Sequence, residues 1–172
     1  MKNTTWNKDW RKTVIILSGG FDPVHKGHLR MFREASWLGH QVVVGLNSDD
    51  WLTRKKGKPF MEFKERKEIL EGFKYINQVL AFDDKDDTAC GLIQQVRTIY
   101  SGDTFNYDYL DSNPTGEREY KLYFANGGDR TKENIPEIPV CKQLGVEMLW
   151  GIGGGKIQSS SWLIDGEENE SR

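Results

Sequence analysis

Two histidines stand three residues apart in His25-Lys26-Gly27-His28, directly after a turn that contains two glycines. The segment follows the short apolar run 14–17, so we expect a strand to end and a helix to begin there. At this spacing on a helix the two imidazoles face the same way. A helix N-terminus offers unpaired N–H groups and partial positive charge, and the glycines leave its backbone open to a ligand. The pattern predicts a phosphate site.

A second small-residue segment ends in Ser159-Ser160-Ser161, after the glycine-rich stretch 151–155. Hydroxyl and N–H groups at the start of a helix also suit an anion. A flexible linker is the alternative, but the apolar residues at 162–164 favour a helix. Trp150 and Ile157 occupy key positions of a P-loop, and Lys156 replaces the last glycine of a dinucleotide fingerprint, so neither motif fits.

Basic residues follow in the segment 54–58, where Lys55, Lys56 and Lys58 surround a glycine and precede a proline. From the residues alone, this segment is interpreted as a solvated basic loop. Arg66 comes next, on a predicted helix, where it is expected to form a structural pair with Glu65.

Polar residues also end several predicted strands. Asn47 and Asp49 follow the second strand, and Asn126-Gly127-Gly128-Asp129-Arg130 follows a later one. Ligands bind at such strand ends in parallel sheets, although a helix-capping turn and a plain turn are the alternatives. The acidic run 83–87 is interpreted as a solvated turn without a catalytic role.

The elements that must position these residues alternate between strands and helices. The predicted strands cover 13–17, 41–46, 76–82, 122–125 and 146–150, and the predicted helices cover 24–38, 62–73, 88–100 and 159–164. Gly39 is expected to end the first helix and Thr88 to cap a later one. Asp22 and Pro23 have a local interpretation as N-cap and first helical residue. The alternation predicts an α/β, Rossmann-like, doubly wound and mostly parallel sheet in a single domain.

The domain is expected to cover 13–165, with an N-terminal arm at 1–12 and a charged tail at 166–172. Trp6 and Trp10 in the arm are expected to dock on the domain itself, or alternatively to face a partner. The long connection 101–121 is interpreted as a lid, a substrate loop or a dimer element.

Bulk composition excludes several function classes. The chain has 172 residues and a formal net charge of -2, which gives no indication of binding to nucleic acid or to an acidic membrane. No run is apolar enough to span a bilayer and no signal-peptide core is present. Cys90 and Cys141 fit no metal spacing and are interpreted as free thiols. We therefore expect a soluble, cytoplasmic protein.

The segment Gly20-Phe21-Asp22-Pro23-Val24-His25-Lys26-Gly27-His28 resembles the signature of the HxGH nucleotidyltransferases, the cytidylyltransferase-like superfamily. The resemblance covers about 14–164 apart from the inserted connection, and is nearest the heptose 1-phosphate adenylyltransferase and glycerol-3-phosphate cytidylyltransferase group. It implies transfer of a nucleoside monophosphate group from ATP or CTP to a small phosphorylated acceptor, with release of pyrophosphate. It implies Mg²⁺ arriving with the nucleotide, no protein metal ligands, no nucleic-acid or membrane partner, and allows a homodimer.

The resemblance also assigns roles to residues. Catalysis falls to His25, His28, Lys55, Lys56 and Arg66. Nucleotide or phosphate binding falls to Gly19, Gly20, Phe21, Asp22, Gly27, Gly127, Asp129, Ser159, Ser160 and Ser161. Substrate contact falls to Asn47, Asp49 and Asp129.

One departure bears on the acceptor. The glycerol-phosphate group carries an arginine a few residues before its serine cluster, where this chain has Gly153, Gly154 and Gly155 followed by Lys156. The heptose group also lacks that arginine, which favours a sugar phosphate and ATP. Two other classes stay open: a catalytically inactive nucleotide-binding regulatory module of the same fold, and a relative of class I aminoacyl-tRNA synthetases. The chain is short and insufficiently basic for the latter.

Overall fold

A computed structural model of the chain describes residues 12–100, 120–127, 135–155 and 158–165. Within these ranges five strands alternate with helices. The strands are β1 (Lys12–Gly19), β2 (Gln41–Leu46), β3 (Gln78–Ala81), β4 (Tyr120–Gly127) and β5 (Glu147–Ile152). The helices are α1 (Lys26–Leu38), α2 (Asp49–Lys56), α3 (Phe63–Glu71), α4 (Cys90–Ile99), α5 (Glu137–Leu144) and α6 (Ser160–Asp165).

The strands form one sheet in the order β3-β2-β1-β4-β5, and every pairing is parallel. Ile15 lies opposite Val42 on one side and opposite Tyr123 on the other, so β1 is the central strand. The chain runs outward from β1 to β3 and then returns to β4 on the other side. This reversal is the doubly wound arrangement, and it confirms the predicted fold class.

Both faces of the sheet are covered, as the apolar character of the strands requires. Successive residues of a strand point to opposite faces. Ile15 and Leu17 therefore pack with α1 and α3, whereas Val14 and Ile16 pack with α4 and α5. None of the helices in the described ranges combines the length and the apolar character needed to cross a bilayer.

Most predicted elements are confirmed, with shifts at their ends. The predicted bounds 41–46 of the second strand are those of β2, and Gly39 ends α1 as expected. α1 begins at Lys26 with His25 as its N-cap, so the interpretation of Asp22 and Pro23 as N-cap and first helical residue is wrong. α4 begins at Cys90, two residues later than predicted, and its N-cap is Ala89 rather than Thr88.

Two helices were missed. The segment interpreted as a basic loop is largely α2, with Lys55 and Lys56 in its last turn. Its opposite charges at the two ends complement the helix dipole, a signal that could have revealed it. α5 was also missed, because prolines at 136 and 139 disfavour a helix interior; both stand at its first turn, where proline is tolerated.

Some predicted segments lie outside the described residues: 1–11 of the arm, 101–119 of the connection, and 166–172 of the tail. At their borders, Lys12 belongs to β1 rather than to the arm. Tyr120 and Lys121 belong to β4 rather than to the inserted connection.

Candidate active site

The motif residues converge at one edge of the sheet, the edge formed by the carboxyl ends of its parallel strands. The histidine segment follows β1, the segment 47–56 follows β2, and the glycine-rich segment follows β5. The chain reverses direction between β1 and β4, and ligands bind in the crevice that such a reversal opens. The sheet therefore defines a candidate site around the start of α1.

The rings of His25 and His28 stack on each other, with centroids 3.7 Å apart and an interplanar angle of 19°. The pair forms a capping box around the first turn of α1. His25 Nδ1 accepts from the backbone N–H of Gly27 at 3.2 Å, and His28 Nδ1 accepts from the N–H of His25 at 3.3 Å. Gly27 is thus a backbone partner of the histidine pair.

These contacts determine the chemical form of the two rings. A neutral imidazole whose Nδ1 accepts a hydrogen bond carries its proton on Nε2, so each Nε2 is a donor. Burial, with smaller electrostatic contributions from His25 and Lys56, lowers the pKa of His28 to about 3. His28 therefore stays neutral at physiological pH, and it can donate a hydrogen bond without releasing the proton.

Phe21 and Asp22 shape the turn before the histidines. Phe21 has a positive φ of 48°, and the centroid of its buried ring lies 4.9 Å from that of His28 in a T-shaped arrangement. The Asp22 carboxylate is 1% exposed and accepts from the N–H groups of Phe60 and Met61, both at 2.7 Å. Asp22 thereby joins this turn to the α2–α3 connection, and both of its carboxylate oxygens are engaged.

The two candidate lysines take different places. Lys56 Nζ donates to the carbonyl oxygen of Asp22 at 3.0 Å, and its charge contributes to the low pKa of His28. The ammonium of Lys55 instead lies 5.7 Å from the ring centroid of Trp51. The structure therefore brings Lys56, rather than Lys55, to the histidine pair. Lys58 stands in the α2–α3 connection and is exposed.

Arg66 has a fully buried side chain that ties the turns of the site together. Its guanidinium donates to the carbonyl oxygens of Gly20, Asn47 and Met61 at 2.7–2.9 Å. It also pairs with the Asp49 carboxylate at 2.6 Å. Arg66 therefore acts as a positioning residue, and its ionic partner is Asp49 rather than Glu65.

Gly19 and Gly20 lie where β1 leaves the sheet, and both meet close neighbours. The carbonyl oxygen of Gly19 accepts from the N–H of Asn47 at 3.0 Å. A Cβ on Gly20 would lie 2.8 Å from a methyl carbon of Leu52. A side chain at position 20 would thus require the Leu52 side chain to shift.

The β2–α2 junction is anchored by a carboxylate that sequence reasoning missed. Asp84 is 3% exposed and accepts from the amide of Asn47 and from both the N–H and the hydroxyl of Ser48, at 2.7–3.1 Å. Ser48 in turn caps α2 by accepting from the N–H of Trp51. The interpretation of the acidic run as a wholly solvated turn is therefore wrong at Asp84. Asn47 and Asp49 both have structural partners here, while their predicted contact with substrate stays a prediction.

The glycine-rich segment rests on α1. A Cβ on Gly127 would lie 2.8 Å from the Met31 sulfur, and one on Gly153 would lie 3.0 Å from Met31 Cα. The N–H of Gly153 donates to a carboxylate oxygen of Glu34 at 2.7 Å. Glu34 also escaped sequence reasoning, because it belongs to neither motif. The sequence feature that could have drawn attention to Glu34 is that it is the one acidic residue of α1.

The far end of that segment returns to the histidine turn. Ser160 donates its hydroxyl hydrogen to the carbonyl oxygen of Pro23 at 2.8 Å, two residues before His25. Ser159 precedes α6, and the side chain of Ser161 lies outside the described residues. Asp129, Gly128 and Lys156 also lie outside them.

The carboxylates described around the site do not form a cage for a metal ion. Both carboxylate oxygens of Asp22, and both of Asp49, accept hydrogen bonds from protein donors. Within the described ranges no group of three or more histidine, cysteine, aspartate or glutamate side chains could hold an ion. The binding of Mg²⁺ together with the nucleotide stays a prediction.

Comparison with known proteins defines the class. The family model described as "Cytidylyltransferase-like" matches residues 16–146, so the chain belongs to the cytidylyltransferase-like family. This confirms the family resemblance carried by the histidine segment.

Two curated proteins are similar to this chain in sequence. "Bifunctional protein HldE" of Geobacter sulfurreducens is 38% identical over 79% of this chain and 28% of its own length. "Probable ethanolamine-phosphate cytidylyltransferase" of Encephalitozoon cuniculi is 32% identical over 91% of this chain and 45% of its own length. The chain thus spans less than half the length of these curated relatives.

A solved structure shows the same fold. The lipopolysaccharide core biosynthesis protein from Thermoplasma volcanium has a TM-score of 0.55 at 17% identity, over 81% of this chain and 94% of that one. At this identity the likeness concerns the fold alone.

Proposed function

We propose that the chain is a nucleotidyltransferase. It transfers the nucleoside monophosphate group of ATP or CTP to the phosphate of a small acceptor and releases pyrophosphate. The observation that carries the proposal is the stacked pair His25 and His28, whose Nε2 atoms are donors at the N-terminus of α1. Family membership and the named cytidylyltransferase among the relatives support the same reaction class.

The reaction requires little covalent help from the protein. The acceptor phosphate is already a nucleophile, and phosphoryl-group transfer depends mainly on in-line placement and on neutralising charge. One acceptor phosphate oxygen attacks the α-phosphorus of the nucleotide. The bond from that phosphorus to the bridging oxygen breaks, and pyrophosphate takes the electron pair.

The histidines would stabilise this developing charge. Donors that are fixed before the reaction are worth most where charge appears in a site with little water. Because its pKa is lowered to about 3, His28 is a neutral imidazole near neutral pH, and its one N–H lies on Nε2 because Nδ1 accepts from His25. Lys56, next to the histidine pair, would add positive charge toward the phosphates.

Other residues have supporting roles in the proposal. Arg66 and Asp22 hold the turns in place from buried positions. Ser159, Ser160, Ser161 and Gly127 face the nucleotide side in the family resemblance. Asp129, Asn47 and Asp49 are proposed to help place the substrate. Mg²⁺ would arrive with the nucleotide and neutralise phosphate charge.

The acceptor is proposed to be a sugar or polyol phosphate. The absence of an arginine from the described glycine segment 151–155 supports a sugar phosphate with ATP. The relative described as an ethanolamine-phosphate cytidylyltransferase supports testing CTP and phosphoethanolamine as well. We further propose that the protein acts in the cytoplasm, in keeping with its two free cysteines.

The test is pyrophosphate release with Mg²⁺, crossing ATP, CTP, GTP and UTP with a panel of acceptors. The panel contains heptose 1-phosphate, glycerol 3-phosphate, phosphoethanolamine, phosphocholine, nicotinate mononucleotide and phosphopantetheine. Turnover that requires one acceptor supports the proposal and fixes base and acceptor together. Nucleotide binding without pyrophosphate release across the panel would instead favour the inactive regulatory module.

The third histidine of the chain provides a matched control. His28→Ala should lower kcat/KM, with a loss of about 2–4 kcal/mol in transition-state stabilisation. This is the size expected for one lost charge-stabilising donor. His40 accepts from the N–H of Thr13 near the opposite end of β1. His40→Ala should leave kcat/KM within about threefold of wild type. Equal rates for wild type and His28→Ala would refute the role of His28.

A further inference from the structure

We propose that Glu34 is a positioning residue for the nucleotide. Its carboxylate fixes Gly153, in the glycine-rich segment 151–155 that leads from β5 toward α6, on α1 before the nucleotide binds. The inference rests on the proposed function, because it assumes that this connection faces a nucleoside triphosphate.

The contact is a hydrogen bond from a backbone N–H to a carboxylate, between two residues that are far apart in sequence. Glu34 Oε2 accepts the N–H of Gly153 at 2.7 Å across 119 residues of sequence. A hydrogen bond from a backbone N–H to a carboxylate is about twice as strong as a neutral one. Gly153 has a φ of +85°, and Met31 packs where a Cβ would stand. Position 153 is thus held between Met31 and Glu34 on one face of α1.

The connection would be poorly ordered without such a contact. Gly151, Gly153, Gly154 and Gly155 stand close together, and glycine loses more backbone freedom on ordering than any other residue. A ligand that must order a flexible segment loses binding free energy equal to the cost of that ordering. Fixing Gly153 to α1 in advance removes part of this loss.

The two ends of the connection are attached to the same structural frame. Glu34 lies six residues after His28, about 9 Å along the helix axis at its usual rise. At the other end, Ser160 bonds to Pro23 just before His25. α1 thus carries the histidine pair at its first turn and holds the glycine connection further along. Loss of Glu34 should change how the nucleotide is held, while the acceptor contacts stay as they are.

The test measures nucleotide affinity without turnover. Binding of the α,β-methylene analogues of ATP and CTP to the full chain is titrated, since these analogues cannot transfer the nucleoside monophosphate group. Glu34→Ala should weaken binding of the preferred analogue about tenfold. Glu34→Gln keeps an oxygen that can accept from Gly153, and should recover binding to within about threefold of wild type. Glu68→Ala, an exposed glutamate of α3, serves as the matched control.

Steady-state kinetics separate positioning from a purely structural role. Positioning predicts a higher KM for the nucleotide in Glu34→Ala with an unchanged KM for the acceptor. Wild-type affinity in Glu34→Ala, or a lower melting temperature with unchanged nucleotide binding, would overturn the inference and leave the proposed function intact. Analogue binding that depends on Glu34 in a chain that releases no pyrophosphate would support the inference and refute the reaction. A wild-type chain that binds neither analogue would overturn both.

Discussion

Lys56 Nζ donates to the carbonyl oxygen of Asp22 at 3.0 Å, which brings the last turn of α2 to the turn before the histidine pair. Its neighbour Lys55 turns to the ring of Trp51 instead. Adjacent lysines on a helix point about 100° apart, so only one of them can reach the site. The helical state of this segment therefore discriminates between two residues that a loop would have left equivalent.

This difference gives the first prediction. Lys56→Ala should lower kcat/KM by at least about tenfold, because it removes a cation beside the developing phosphate charge. Lys55→Ala should change kcat/KM by less than about threefold and serves as the control. Steady-state pyrophosphate release measures both. A larger loss in Lys55→Ala than in Lys56→Ala would contradict the arrangement described.

The pKa of His28 predicts how stability depends on pH. In the unfolded chain this group titrates near 6.5, whereas in the folded chain its pKa is lowered to about 3. Between these values the unfolded state binds more protons. Titration of His28 therefore leaves the free energy of unfolding unchanged above pH 6.5. Below that value, it makes the free energy of unfolding decrease as the pH falls from 6.5 toward 3.

His28→Gln should reduce that decrease, because glutamine keeps a capping side chain at the third helical position but does not titrate. Urea unfolding at several pH values between 7 and 3.5 measures the effect. Comparison with His40→Gln accounts for the change in histidine content. An identical pH dependence in wild type and His28→Gln would show that His28 protonates normally in the folded state.

Arg66 predicts a large loss of stability. Arg66→Met removes four hydrogen bonds and leaves the Asp49 carboxylate without its ionic partner. Breaking such a pair typically costs about 3–5 kcal/mol, and Asp49 is partly exposed, so we expect about 3 kcal/mol. The measurement is the free energy of unfolding in urea.

A second arginine provides the comparison for this prediction. Arg54 pairs with the exposed Asp87 at 3.1 Å. The Arg54 guanidinium also donates to the carbonyl oxygen of Asp84 at 2.7 Å, but its side chain is 38% exposed, so Arg54→Met should cost less than Arg66→Met. Equal losses for the two variants would argue against the anchoring role of Arg66.

Two neighbouring glycines are predicted to differ in their sensitivity to alanine. Both Gly153 and Gly154 have positive φ, so alanine strains the backbone at either position by about 1 kcal/mol. A Cβ at 153 meets Met31 at 3.0 Å, while one at 154 meets nothing within 4 Å. Gly153→Ala should therefore cost at least about 1 kcal/mol more than Gly154→Ala in urea unfolding. Similar values would mean that the connection does not rest on Met31.

Much of the fold could be predicted from the sequence because its signals are local. The apolar runs of β1 and β2 are buried on both faces, so each shows as an unbroken β-branched stretch. Alternation with helices then requires a parallel sheet. α2 and α5 gave weaker signals: α2 buries only Leu52, and α5 carries prolines in its first turn.

The residues of the candidate site fall into the same two groups: those that the sequence predicts and those that only the tertiary structure identifies. The sequence determined the histidine pair, because two histidines and a glycine at a strand–helix junction express their spacing in the chain itself. Tertiary structure alone decided which partners the charged residues take. Arg66 is joined to Asp49, Asp84 to Ser48 and Glu34 to Gly153. These partners lie 17, 36 and 119 residues apart, and such distances in sequence leave no periodic trace. Packing against the sheet brings them together, and it also buries His28 so that the ring stays neutral.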